Sequence, residues 1–372
     1  MDSCDVLIVG GGPAGSSCAW KLRDRGLDVA ILDRHSFPRD KICGGWITPE
    51  VLDELAIDPD EYGRGRVLQP ITAFRTGCIG GNALDTNFGK PVSYGIRRCE
   101  FDHYLLQRSR ARILPPSSLT SLKRTADSWI ANENIRAHVV VGAGGHFCPA
   151  ARLTGAKAPQ EDAVVAQEAE FEMDARQLAQ CRVSTNAPEL YFSSDMKGYG
   201  WCFRKQSFLN IGLGRMDPHR LPEHVAAFLR FLKSTGRLLF DVPAAFHGHA
   251  YLLQGVSTRN VVADGLLLIG DAAGLAYEQS GEGIRPAIES GLMAAESIAA
   301  ARGQYSRERL DPYRVELGRR FRQSAKPLVT SLGRRLPPRL KSMLARRLLG
   351  TRWFTRDVVL KHWFLHCPTG TG

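Results

Sequence analysis

Apolar positions along the chain fall into two kinds of pattern. Continuous runs come first: Val6 to Val9 and Val29 to Leu32 are four-residue apolar stretches rich in β-branched side chains, and Leu266 to Ile269 is a third. Runs of that length bounded by glycine or aspartate predict strands buried on both faces, the kind found in parallel sheets. Gly-rich turns follow the first and third runs. Each turn leads into a helix-period stretch, one starting near Pro13 and one near Gly283. Partial alternation marks the second pattern, over residues 163–174 and 189–215, with turns at Lys197-Gly198 and Gln206-Ser207. With 67–95, these predict an antiparallel sheet. Beyond 316, Pro327, Pro337 and Pro338 divide the chain into short helices of clustered leucines and arginines.

The fold class that follows is α/β, or α+β overall: a parallel-sheet domain, an inserted antiparallel domain and a helical C-terminal region. The expected bounds are 1–66, 95–160 and 256–304 for the discontinuous first domain, 67–94 and 161–255 for the second, and 305–372 for the last. A length of 372 residues accommodates two cores.

Nine cysteines lie at least fourteen residues apart, so neither C-x-x-C nor a zinc-ligand spacing occurs and no metal is expected. That usage, with no basic-then-apolar leader and no run of about 18 apolar residues, predicts a reduced, cytoplasmic protein that is neither exported nor transmembrane. The net charge of +11 is local. Residues 319–372 hold thirteen Lys and Arg against Asp357 alone, and the rest of the chain sums to −1.

Gly10, Gly12 and Gly15 form G-x-G-x-x-G between the first strand and its helix, with Pro13 and Ala14 inside the motif. The first glycine permits a tight turn, the second lets backbone approach a pyrophosphate, and the third lets helix pack on strand. The helix N-terminus, with its partial positive charge, faces the phosphates. Asp33, followed by Arg34, ends the second strand, where a carboxylate can accept hydrogen bonds from an adenosine ribose. A Rossmann-like dinucleotide-binding domain is the expectation.

The downstream segment I-G-D-A-A-G-L-A-Y-E-Q-S-G-E-G-I (269–284) identifies the dinucleotide by resemblance. It is similar to the flavoprotein superfamily of para-hydroxybenzoate hydroxylase, and more closely to its geranylgeranyl reductase branch. The resemblance implies FAD as cofactor, with Gly270 and Asp271 on the ribityl chain and Gly281, Gly283 and Ile284 at the flavin. Arg98, in R-R-C-E-F-D-H-Y-L-L, matches the family's R-x-x-F-D-x-x-L and is implied beside the cofactor. Gly144 and Cys148 depart from the pattern, standing where the family has aspartate and serine. That departure leaves the electron donor open between NAD(P)H and a reduced carrier protein.

Two further stretches carry the reductase resemblance. K-I-C-G-G-W resembles the family's C-G-G segment at the isoalloxazine, so Cys43, Gly44 and Gly45 are implied beside the flavin, and Gly45 and Trp46 beside substrate. Y-G-W-C-F-R-K resembles the reductases' Y-x-W-x-F-P-K. There Tyr199, Trp201 and Phe203 alternate onto one sheet face as an apolar wall for a hydrocarbon, and Arg204 replaces the proline as a cation for an anionic head group. Cys43, Tyr199 and Trp201 are the expected catalytic residues, with the proton donor unassigned.

The activity implied is reduction of carbon–carbon double bonds in an isoprenoid or polyprenyl lipid by hydride from reduced flavin. An FAD-dependent monooxygenase is the alternative, and a non-catalytic, membrane-docked flavoprotein the third reading. The basic segment 319–372, with Trp353, Phe354, Trp363 and Phe364, fits either peripheral contact with an anionic bilayer or a cap on the second domain. No nucleic-acid motif accompanies its charge, so no nucleic acid is expected as partner. Oligomeric state is left open.

Overall fold

A computed structural model describes residues 1–156, 161–322 and 338–367. Pro327 and Pro337 lie outside the described residues. Two compact units are formed, one from Met1–Asp40, Cys99–Ala163 and Tyr251–Lys326, the other from Lys41–Arg98, Val164–Ala250 and Pro327–Gly372.

In the first unit an eight-stranded sheet has at its centre Asp2–Val9, flanked by Ile135–Gly142 and Val29–Leu32, all parallel. Leu266–Leu268 extends it in parallel beyond Ile135–Gly142. Val6, Leu7, Ile8, Val139, Val140 and Val141 are fully or nearly fully buried, as two-sided coverage requires. The helix Pro13–Leu22 includes Gly15, Ser16 and Ser17, poor helix formers that would leave a ten-residue peptide unfolded in water. Eight of its ten residues are buried, so packing against the sheet and the helix Ile284–Ala301 holds it.

The helix Arg307–Leu317 also belongs to this unit and not to a separate C-terminal region. It buries Leu310, Tyr313 and Leu317, and the Tyr313 hydroxyl donates to the Leu268 carbonyl at 2.6 Å.

In the second unit, a seven-stranded sheet runs His247–Tyr251, Val164–Glu172, Phe208–Arg215, Gly198–Lys205, Glu189–Phe192, Ala73–Cys78, Ala83–Asn87. Its pairings are antiparallel along Val164–Glu172, Phe208–Arg215, Gly198–Lys205 and Glu189–Phe192. One face carries Ala169, Tyr191, Cys202, Leu209 and Ile211 against the amphipathic helix Leu221–Ser234, which presents Leu221, Val225, Phe228 and Leu232. Residues 41–66, expected in the first domain, pack in this unit. The cause is backbone pairing: Trp46–Ile47 joins Ser93–Ile96, which also pairs with Leu68–Ile71.

The last described helix, Phe354–Phe364, buries Thr355, Val359, Leu360 and Phe364 in the second unit. Phe364 stacks on Trp46 with ring centres 5.5 Å apart and planes within 3°, and lies 5.4 Å edge-on from Tyr199. This part of the basic tail therefore caps the second unit, while Trp353 and Met343 are exposed. No described helix is long and apolar enough to cross a membrane.

Candidate active site

In the first unit the glycine turn closes on the sheet so tightly that a Cβ at Gly15 would overlap the Gly10 carbonyl and lie 2.9 Å from Ile8 Cγ2. At Gly12 the space is open except for Arg39 Nη2 at 3.4 Å. No side chain caps the helix at Gly12, and Pro13 and Ala14 begin it, so the first-turn N–H groups suit a phosphate. Asp33 accepts from the Gly11 N–H at 2.8 Å and the His35 N–H at 2.9 Å. These bonds use two of its roughly four lone-pair sites and leave capacity for sugar hydroxyls. Arg34 is exposed.

Gly270 and Asp271 follow the strand Leu266–Leu268 in a short 3-10 turn, with the Gly270 N–H donating to Ser290 Oγ at 2.9 Å. A Cβ on Gly283 would sit 3.1 Å from Asp271 Oδ1, which places that carboxylate beside the start of the helix Ile284–Ala301. Between Gly281 and Gly283, Glu282 accepts from the Arg285 N–H at 2.8 Å, while burial pushes its carboxyl up to about 7. The open N-terminus of the helix Pro13–Leu22, an acceptor at the second strand's end and a carboxylate at the Gly-Asp turn make a set that fits FAD.

Two arginines beyond the sequence motifs support this cradle. Arg39 stands over the glycine turn and pairs with the buried Asp102 at 3.5 Å. Arg259 is fully buried, paired with Glu161, and donates to the carbonyls of Asp271 at 3.3 Å and Ala272 at 2.9 Å, which fixes the Gly-Asp turn from behind. Gly144 is crowded where the resemblance has aspartate: a Cβ there would lie 3.0 Å from Pro149 Cδ and 3.3 Å from the buried Cys148 Sγ.

In the second unit, Tyr199, Trp201, Phe203 and Lys205 alternate onto the sheet face away from the helix Leu221–Ser234. Tyr199 and Trp201 have ring centres 6.0 Å apart, and Trp46 meets Phe203 at 5.9 Å and Phe74 at 5.3 Å. Arg204 is on the opposite face, where its Nε donates to the Gln206 carbonyl at 3.1 Å. The expected head-group cation is therefore misplaced by one residue: Lys205 is the cation on the aromatic face, buried and paired with Glu170 at 2.7 Å.

The Cys43-Gly44-Gly45 turn lies against this face. A Cβ at Gly44 would sit 3.2 Å from Phe203 Cε2 and 3.6 Å from Trp201 Nε1. Gly45 adopts φ +63°, and a side chain there would run into the Ile96 carbonyl and Lys205 Nζ, so both conformation and space demand glycine.

The Cys43 peptide is held at both ends. Its N–H donates to Glu168 Oε1 at 2.5 Å, and its carbonyl accepts from Asn210 Nδ2 at 3.1 Å. Asn210 also accepts from Trp201 Nε1 at 2.7 Å, tying the aromatic wall to the turn. Arg98 is buried near Glu168, and its charge favours the ionised carboxylate.

Sequence reading missed Glu168, Asn210, Lys205, Arg39 and Arg259. Lys205 was within reach of the alternation that placed the three aromatics. The other four are joined to their sites by folding across long stretches of chain.

A Rossmann-type sheet carrying this cradle defines an FAD-binding oxidoreductase. Comparison with known proteins agrees. Residues 8–61 match the NAD(P)-binding Rossmann-like domain. Over 335 residues the chain is 28% identical to the digeranylgeranylglycerophospholipid reductase of Methanocaldococcus jannaschii, covering 84% of this chain and 81% of that one. Over 324 residues it is 30% identical to the menaquinone reductase of Mycobacterium tuberculosis, covering 80% and 77%. A geranylgeranyl bacteriochlorophyll reductase-like protein from Thermoplasma acidophilum shares the fold, with TM-score 0.74 at 22% identity over 94% of this chain and 88% of that one. The chain belongs to the geranylgeranyl reductase family of FAD-dependent oxidoreductases.

Proposed function

We propose that this enzyme reduces carbon–carbon double bonds in the prenyl chain of an isoprenoid lipid. The observation that carries the reading is the sheet face on which Tyr199, Trp201 and Phe203 form an apolar wall beside a glycine turn whose backbone is clamped at Cys43. The named substrates of the relatives support the same substrate class.

FAD, when bound and reduced, supplies the hydride. Gly10, Gly12, Pro13, Ala14 and Gly15 would hold its pyrophosphate, Asp33 its adenosine ribose, and Gly270 and Asp271 its ribityl chain. Gly44 and Gly45, lacking side chains, would let backbone approach a flat ring, with Gly281, Gly283 and Ile284 at the flavin and Arg98 supplying positive charge. Trp46, Tyr199, Trp201 and Phe203 would line the alkene and exclude water, which keeps the reacting atoms about 3 to 3.5 Å apart. The Cys43 thiol would give the proton to the second alkene carbon. Exposed Trp353 and Met343, within the basic tail, are the contacts we assign to an anionic membrane surface where such lipids reside. NAD(P)H or a reduced carrier protein supplies the electrons, and bleaching of the bound flavin by NADPH alone would select the former.

Incubation of the chemically reduced enzyme with a polyprenyl lipid tests this. A mass gain of two hydrogens per double bond is expected, and a product gaining oxygen would replace the reading with a monooxygenase.

A further inference from the structure

The proposed proton donor, Cys43, must be recharged after each turnover. We propose that Glu168 is the proton reservoir of this site, the group from which the Cys43 thiol regains its proton. The inference rests on the alkene-reductase reading and assigns the proton path that reading leaves open.

Glu168 projects from the middle of the strand Val164–Glu172 onto the aromatic face and is 4% exposed. Its backbone partner across the sheet is Gly212, over which the Trp201 ring lies. Oε1 takes the Cys43 N–H, and Oε2 is buried with no hydrogen-bond partner among the described residues. A buried, unpartnered carboxylate oxygen is costly, whereas a protonated one is neutral and carries a transferable proton. Burial accordingly raises the carboxyl to about 7. The groups acting on it are the Cys43 N–H of the glycine turn, Lys205 and Arg98, which favour the carboxylate, and Glu170 on its own strand, which favours the acid. Glu170 is occupied by Lys205 and Asn210 and has Arg97 at 3.8 Å, so it is not a second reservoir.

The balance closes. Bound, reduced FAD would supply the hydride and its electron pair, and the thiol would give the alkene its proton. The thiolate then takes the proton of the Glu168 carboxyl, and the carboxylate regains one from water.

Glu168→Gln preserves the shape and the acceptor for the Cys43 N–H but carries no transferable proton. With FAD content and KM unchanged, kcat is expected to fall about 100-fold and to lose its inflection near pH 7, with partial recovery in Glu168→Asp. Independently of turnover, infrared difference spectra of the oxidised holoenzyme, wild type minus Gln variant, should show one protonated carboxyl band that titrates near pH 7, the signal of Glu282 cancelling between the two. A Gln variant with full kcat and an unaltered pH profile would overturn the assignment, as would difference spectra without such a titration. A wild-type enzyme that shows the titrating band but reduces no polyprenyl lipid would instead sink the functional reading.

Discussion

Cys43 is fastened by its backbone to Glu168 and Asn210, and its side chain adds to the turn only a long 3.5 Å contact from the Gly45 N–H to Sγ. Cys43→Ala is therefore expected to retain FAD, read from flavin absorbance, and to lose activity by about 100-fold. Normal turnover would return the thiol to a packing role. Glu168 has a second consequence, in stability. Its folded-state value near 7 lies above its ordinary 4.5, so between those values the folded chain holds a proton that the unfolded chain has released. Stability from this group is full below 4.5 and is lost as pH rises through 7, by up to about 3 kcal/mol. Relative to wild type, Glu168→Gln should thus gain stability in urea melts as pH is raised from 5 to 8; a difference constant across that range would contradict this. At this scale the glycines were legible, because their roles are backbone roles that a motif records. Glu168 was not: in V-A-Q-E-A-E-F-E it reads as one of several acids on a solvent-facing strand, and its partner lies 125 positions away.

Among the elements, the helix Pro13–Leu22 depends on close approach at Gly15 for its stability and its place under the phosphates. Gly15→Ala is expected to abolish FAD retention on gel filtration, since the added methyl collides with the Gly10 carbonyl. Retention of flavin would mean that the turn yields. The helix Phe354–Phe364 shows the opposite balance between pattern and packing. Its sequence is dominated by the surrounding arginines, which equally suited a membrane arm and a cap, and only contact with Trp46 and Tyr199 reveals its buried stripe. Phe364→Ala should cost about 3 to 5 kcal/mol in chemical denaturation, as for a buried ring. An unchanged midpoint would mean the helix is detached in solution.

At the scale of the whole molecule, the parallel sheet was written in the chain as uninterrupted apolar runs, and the antiparallel sheet as alternation. Domain bounds were less legible. The two-residue strand Trp46–Ile47 is too short to announce itself, yet its pairing with Ser93–Ile96 places residues 41–66 in the second unit. That Tyr199, Trp201 and Phe203 share a sheet face was legible as spacing, while the polar corner of Glu168, Glu170, Asn210 and Lys205 arises only when three strands come together. That combination, an apolar face ending in a buried acid beside a glycine turn, is what we propose as an alkene-reducing site. Its most direct test is the mass of a polyprenyl lipid after incubation with the reduced holoenzyme. A gain of two hydrogens per double bond consumed is expected, and in heavy water a gain of deuterium, since the thiol proton and the reduced flavin's N–H both exchange with solvent. A product of unchanged hydrogen count that carries added oxygen would contradict it.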